Sequence, residues 1–181
     1  MEYIDILNDK GEPTGEIATR EDVHKNGHLH KVIHVLVINS NGELLIQKRT
    51  PNKEKNPNMW DISCAGHLSS GNTSIEGAMR EFQEELGIKI NSSDLKLIYS
   101  LKRSYIPKQG FIENEIQDVY LCRKDININD IVTQEEEVSE VKYIPFELYV
   151  ENFYNKNKDF VYRGEEYKNV IEIINKELES R

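Results

Sequence analysis

The run Val32-Ile33-His34-Val35-Leu36-Val37-Ile38 constrains the fold of this chain more than any other segment. It is nearly continuous in apolar residues, as in a strand at the centre of a sheet. Asn39-Ser40-Asn41-Gly42 then turns the chain and Glu43 to Lys48 returns as a strand, which predicts a hairpin. Further strands are expected at Trp60–Cys64, Leu95–Ser104, Glu115–Cys122 and Val138–Ile144, the last halted by Pro145. Within residues 1–20 a short strand pair is expected to turn around Asn8-Asp9-Lys10-Gly11. Residues 50–59, rich in proline, lysine and asparagine, read as a loop. A helix from about Phe146 and a polar helical tail from about Tyr167 close the chain. Strands thus dominate over two or three helices. The class is α/β (α+β), a mixed sheet packed between helices.

The length of 181 residues suits one domain over 1–181, with a strand extension over about 1–30 and a helical segment over about 146–181. Apolar residues make up 38 %, enough for one core. No apolar run approaches the roughly 18 residues of a membrane span. Met1-Glu2-Tyr3-Ile4-Asp5 is acidic, without a basic-then-apolar signal pattern. Cys64 and Cys122 form no metal-type spacing and no disulfide framework. A reducing cytoplasm is therefore the expected compartment. The formal charge is −9 and no basic stripe is visible, so no nucleic acid polymer is expected as partner. An acidic chain still binds a phosphorylated small molecule if carboxylate-held divalent cations bridge the two.

Thr73 to Leu86 is the best helix, with Thr73 and Glu76 as a capping box and Gly87 at the stop position. At about 100° per residue, Ile75, Ala78, Met79, Phe82 and Leu86 share one arc, which should face the core. Glu81, Glu84 and Glu85 share the neighbouring arc. Like charges at this spacing cost roughly 0.2–0.5 kcal/mol per pair. Arg80 offsets part of that, and bound Mg²⁺ would offset more. An acidic run alone also reads as a solvated helix face. Here Gly66-His67-Leu68-Ser69-Ser70-Gly71 forms a glycine-flanked turn leading straight into the helix, a junction suited to metal and phosphate.

Gly66 to Ile88 resembles the Nudix box, G-x5-E-x7-R-E-u-x-E-E-x-G-u, where u is a bulky aliphatic residue. Gly66, Arg80, Glu81, Glu84, Glu85, Gly87 and Ile88 match in register. Phe82 takes the first u position, and Asn72 stands where the family has its first glutamate. The resemblance implies a Nudix fold and a Mg²⁺-dependent hydrolase, with Mn²⁺ as a substitute. The substrate would be a nucleoside diphosphate-X or a related organic diphosphate. Glu81, Glu84, Glu85 and the Gly66 carbonyl would hold the metal, and Arg80 would orient the glutamates. Glu84, or a carboxylate outside the box such as Glu115, Glu137 or Glu140, would act as general base. The departure at Asn72 is expected to weaken the site rather than abolish it. It also leaves open a non-catalytic ligand sensor. A homodimer is a further expectation.

Residues from about His24 to Val119 are also similar to type I isopentenyl-diphosphate isomerase, itself of the Nudix fold. His24, His30 and His67 match its metal-binding histidines, and Glu113-Asn114-Glu115 matches its E-N-E segment. Arg49 and Lys53 match its diphosphate-gripping residues, with Pro57 and Trp60 in register and Tyr105 as a looser match. A second metal site at His24, His30, His67, Glu113 and Glu115 follows as an expectation. The alternative is that His24 and His30 are ordinary polar residues at a loop–strand junction. His28 and His34 match nothing. The isomerase needs a cysteine just before its Gly-His pair, and here Ala65 precedes Gly66-His67. Cys64 lies one residue earlier, and strand alternation should turn it away from the pocket. Ala65 and the intact later carboxylates favour hydrolysis, with isomerisation as the alternative. Tyr105, Phe111 and Trp60 are available to stack on a base, or to serve the core.

Overall fold

The computed structural model describes residues 2–180. In chain order its elements are β1 (Tyr3–Leu7), β2 (Pro13–Thr19), α1 (Arg20–Asn26), β3 (His30–Ile38), β4 (Glu43–Arg49), β5 (Trp60–Asp61) and β6 (Cys64–His67). Then follow α2 (Ser74–Leu86), β7 (Leu95–Lys108), β8 (Phe111–Arg123), β9 (Val138–Pro145), α3 (Phe146–Tyr154) and α4 (Lys168–Glu179). β1 and β2 form a two-stranded sheet. The other seven strands form a second sheet along the path β5-β4-β3-β8-β7, with β6 beside β3 and β9 beside β4. β3 and β8 run parallel, and the remaining pairs are antiparallel, so the sheet is mixed.

The apolar run that marks the central strand is buried on both faces. Leu36 and Ile38 of β3 pack with Phe146, Tyr149 and Phe153 of α3 and Val170, Ile171 and Ile174 of α4. Ile33, Val35 and Val37 pack on the other side with Ala78, Phe82 and Leu86 of α2. Each such aliphatic residue contributes roughly 1.5–3 kcal/mol on burial. Helices therefore cover both faces of the sheet, as expected from the order of elements.

α2 begins as its sequence predicts. The Thr73 side chain accepts from the Glu76 backbone, and Glu76 accepts in turn from the Thr73 N–H at 2.8 Å. Gly87 closes it in the left-handed region at φ 69°, its N–H donating to the Gln83 carbonyl.

Five local expectations are corrected. The hairpin between β3 and β4 exists only at its turn, with Ile38 opposite Leu44. Beyond that point β4 leaves β3 and zips along β9, and β6 takes the vacated flank of β3. Ser63 spans the split: its Oγ accepts from the Val37 N–H at 2.8 Å and donates to the Leu45 carbonyl at 2.6 Å. For this reason the expected single strand over Trp60–Cys64 is two strands, β5 on β4 and β6 on β3. Gly66 and His67 consequently lie in β6 rather than in a turn. β7 and β8 run on past their expected ends and meet near Gly110, forming an arm that carries Tyr105 and Glu113. Finally, α1 brings the helix total to four among the described residues.

Candidate active site

Gly66 is where α2 meets the sheet. It pairs with Ile33 of β3, and the Glu81 carboxylate lies against its α-carbon. A β-carbon at 66 would meet Glu81 Oε2 at 2.1 Å and Oε1 at 2.4 Å. Any larger residue there would displace the Glu81 carboxylate. Glu85, one turn further along α2, accepts from Gln47 Nε2 at 2.8 Å and from the Ala65 N–H at 3.3 Å. Both carboxylates are buried, while Glu84 is exposed. Burial pushes the Glu81 carboxyl up to about 7, against the opposing Arg80, with Glu84 adding to the rise. It pushes Glu85 up to about 8, with Glu81 adding to the rise.

Arg80 ties the group together. Its NH2 donates to Glu81 Oε1 at 2.6 Å and to the His67 carbonyl at 2.8 Å, and its NH1 to Glu84 Oε2 at 2.8 Å. Its buried Nε has no partner among the described residues. Asn72 does not join them. It is exposed beside a separate small cavity lined by Asp5, Lys31 and Thr73.

A second cluster lies across β6. His24 of α1, His30 of β3 and His67 of β6 bring one ring nitrogen each to within 4.8 Å of one another. It is the one such group of three metal-ligating side chains found among the described residues. His24 Nε2 and His67 Nε2 are 2.9 Å apart. The outer nitrogens are anchored: His24 Nδ1 faces the Ile112 carbonyl at 3.2 Å and His30 Nδ1 the His28 carbonyl at 2.9 Å. His30 Nε2 is buried without a hydrogen bond, 3.9 Å from Glu115 Oε1. Burial lowers all three rings, His24 to about 4. Parallel pairing sets His30 directly opposite Glu115. Glu113 turns instead to an ion pair with Lys55.

Glu81, Glu84 and Glu85 line one large cleft with His24 and His67, together with Arg49, Lys53, Glu113 and Glu115, and His30 lies buried behind it. Arg49 lies 3.6 Å from Asp61, and Lys53 forms an ion pair with Glu137. Burial lowers Lys53 and Lys55 to about 8. Ala65 faces this cleft, whereas Cys64 sits in the core beneath α2, as strand alternation requires. Glu140 is exposed and lies outside the cleft. Phe111 stacks on His24 at 4.2 Å and Trp60 lies 3.9 Å from Lys142, while Tyr105 stands exposed on the rim.

Among the cleft residues that sequence reasoning missed are Lys55, His34 and Arg163. Lys55 lay in view beside Lys53. His34 and Arg163 were not recognisable, because they are joined only by folding. Arg163 NH1 faces His34 Nε2 at 2.8 Å, and Arg163 Nε and NH2 donate to Asp61 Oδ1 at 3.0 and 2.5 Å.

A mixed sheet between helices, with a glycine-backed acidic helix walling a cleft that also carries Arg49, Lys53 and Lys55, defines an enzyme of the Nudix type. The chain belongs to the NUDIX domain family, whose model matches residues 28–163. It is 42 % identical over 144 residues to an uncharacterized Nudix hydrolase of Listeria monocytogenes, covering 80 % of each chain. It is 40 % identical over 159 residues to Nudix hydrolase 3 of Arabidopsis thaliana, covering 86 % of this chain but spanning only 20 % of that protein's length. More distantly, it is 35 % identical over 123 residues to an isopentenyl-diphosphate Delta-isomerase of Paenarthrobacter aurescens, covering 67 % of this chain and 66 % of that one. A crystal structure of a Deinococcus radiodurans protein shares the fold, with a TM-score of 0.68 at 23 % identity, over 97 % of this chain and 98 % of the other. No helix among the described residues is long and apolar enough to cross a membrane.

Proposed function

We propose that the chain is a Mg²⁺-dependent hydrolase of nucleoside diphosphate-X or related organic diphosphates. The observation that carries this reading is the burial of two neighbouring carboxylates, Glu81 against Gly66 with Arg80 as its ion-pair partner, and Glu85 with no ion pair among the described residues. Buried carboxylates short of positive partners suit a hard dication that takes oxygen ligands. Glu81, Glu84, Glu85 and the Gly66 carbonyl would hold Mg²⁺ or Mn²⁺. When bound, the metal supplies neutralisation of diphosphate charge and a more acidic water. Arg80 holds Glu81 and Glu84 at the mouth of the site, and Arg49 and Lys53 grip the diphosphate. Glu84, exposed to the cleft, or Glu115 accepts the proton of the attacking water.

The histidine cluster is proposed as a second metal site, of His24, His30, His67 and Glu115, with Glu113 joining on release from Lys55. The unpartnered His30 Nε2 and the anchored outer nitrogens support it. Neutral imidazoles with carboxylate suit Mn²⁺ or another borderline ion.

A panel of diphosphates assayed with Mg²⁺ and with Mn²⁺ tests the reading. Wild type should release phosphate or a monophosphate, and Glu85→Gln should lose on the order of 10²–10⁴-fold in rate. Full activity in that variant removes the assignment. The histidine cluster also favours a second reading, isopentenyl-diphosphate isomerisation. Ala65 on the cleft and the core position of Cys64 count against it. Proton exchange into isopentenyl diphosphate, lost in Cys64→Ala, would restore it.

A further inference from the structure

Arg103 and Arg163 are two guanidinium groups of the cleft with no part in the chemistry above. Arg163 is locked. Asp61 accepts twice from it, His34 caps its NH1, and it is 8 % exposed. Asp61 also holds Arg49 at 3.6 Å, so one carboxylate serves two guanidinium groups.

Arg103, on β7, packs on the residue after Arg163. A β-carbon at Gly164 would meet Arg103 Nε at 3.0 Å and Cζ at 3.3 Å. Gly164 sits at φ 92°, a backbone that favours glycine, and Glu166 Oε2 lies on its other side, 2.9 Å from where a β-carbon would stand. Arg103 is half-buried, yet it forms no hydrogen bond or ion pair with any described residue. Its close partner is the Tyr105 ring, 5.1 Å away. None of its nitrogens is sealed from solvent, so a full set of guanidinium donors stays open to the cleft for a ligand to take up. β3 and β8 separate β7 from β4, which carries Arg49, so Arg103 lies well away from the expected diphosphate grip.

We infer that Arg103, braced on Gly164 beside Arg163, is a specificity arm for a second anionic group on the substrate, outside the diphosphate. This rests on the proposed diphosphate reading of the cleft. The group would be a phosphate or a carboxylate, which match the planar guanidinium fork bidentately. The substrate class narrows accordingly to organic diphosphates whose X moiety carries a further negative charge.

The test is equilibrium binding to the intact chain in EDTA, where metal-dependent turnover is silent. Two pairs serve as probes: NADP⁺ against NAD⁺, which differ by one phosphate, and UDP-glucuronate against UDP-glucose, which differ by one carboxylate. Wild type should favour the charged member of at least one pair by about 10-fold or more, as befits a charge-assisted hydrogen bond. Which pair responds distinguishes phosphate from carboxylate. Arg103→Gln should bring the ratio to within about twofold of unity, and Arg103→Lys should keep part of it, since a point charge replaces the fork. Raising the salt should shrink the ratio. A wild-type ratio near one for both pairs, or a ratio untouched in Arg103→Gln, overturns the inference. If the ratio behaves as expected but no diphosphate is cut with Mg²⁺ or Mn²⁺, the arm stands and the hydrolase reading falls.

Discussion

The carboxylate of Glu81 rests on the α-carbon of Gly66, so close that even a methyl group there would overlap both its oxygens. Gly66→Ala must therefore push Glu81 out of place while leaving the rest of α2 intact. Misplacement by about 1 Å costs on the order of 10²-fold in rate. The expected variant folds, shown by circular dichroism, and hydrolyses its best diphosphate about 100-fold more slowly. Activity within twofold of wild type would show that Glu81 need not be where it stands.

Arg80 reaches Glu81 and the His67 carbonyl through one terminal nitrogen and Glu84 through the other, all in one plane. A lysine has one charged head and cannot span them. Arg80→Lys should lower kcat by roughly 10–100-fold, a loss of second-sphere orientation, with a smaller change in KM. Steady-state kinetics at saturating Mg²⁺ separate the two constants. A pure KM effect would instead place Arg80 on the substrate.

Mn²⁺ binding followed by electron paramagnetic resonance should count two classes of site. His30→Ala should remove about one ion per chain and leave the ion at α2, and Glu85→Gln should do the opposite, because the two donor sets share no residue. Loss of both classes in either variant would merge them into one centre.

His34 is buried between Arg163 and Tyr167, with Arg103 acting on it as well, and Asp61 holds the far side of Arg163. Burial, reinforced by Arg163 and Arg103, keeps it well below its usual pKa of 6.5. The folded ring stays neutral while the unfolded one takes a proton below pH 6.5. Its contribution is thus complete above pH 6.5 and is lost as the pH falls. The loss approaches about 1.4 kcal/mol per pH unit. Urea unfolding in EDTA at pH 7.5, 6.5 and 5.5 should show stability falling towards acid, with a shallower fall in His34→Gln. Equal slopes for the two proteins would contradict it.

Much of the fold was legible because its signals are local. The capping box of Thr73 and Glu76, the stop at Gly87 and the run through Val32–Ile38 each speak for their own segment. The box residues were legible for the same reason, since helix spacing alone brings Glu81 beside Glu85. What failed were contacts between distant segments. Ser63 splits β5 from β6 only because β3 and β4 have already parted. α1 was missed although Thr19 caps it and Gly27 ends it, because only Val23 and His24 of its seven residues are buried and no apolar period shows. The charged arm of β7 and β8 hid in the same way, with Tyr105 and Ile106 facing out. Arg163 meets its partner Asp61 across 102 positions of chain, and no spacing rule encodes such a pair.

That last separation also has a meaning in time. A chain emerges from the ribosome with α2, the histidines and the basic loop all made before residue 163 exists. Until Arg163 docks, Asp61 lacks its principal counter-ion at the floor of the cleft. The order of synthesis therefore makes the C-terminal segment the last part of the site to arrive, and a nascent chain halted short of it would carry the glutamates but not the finished pocket.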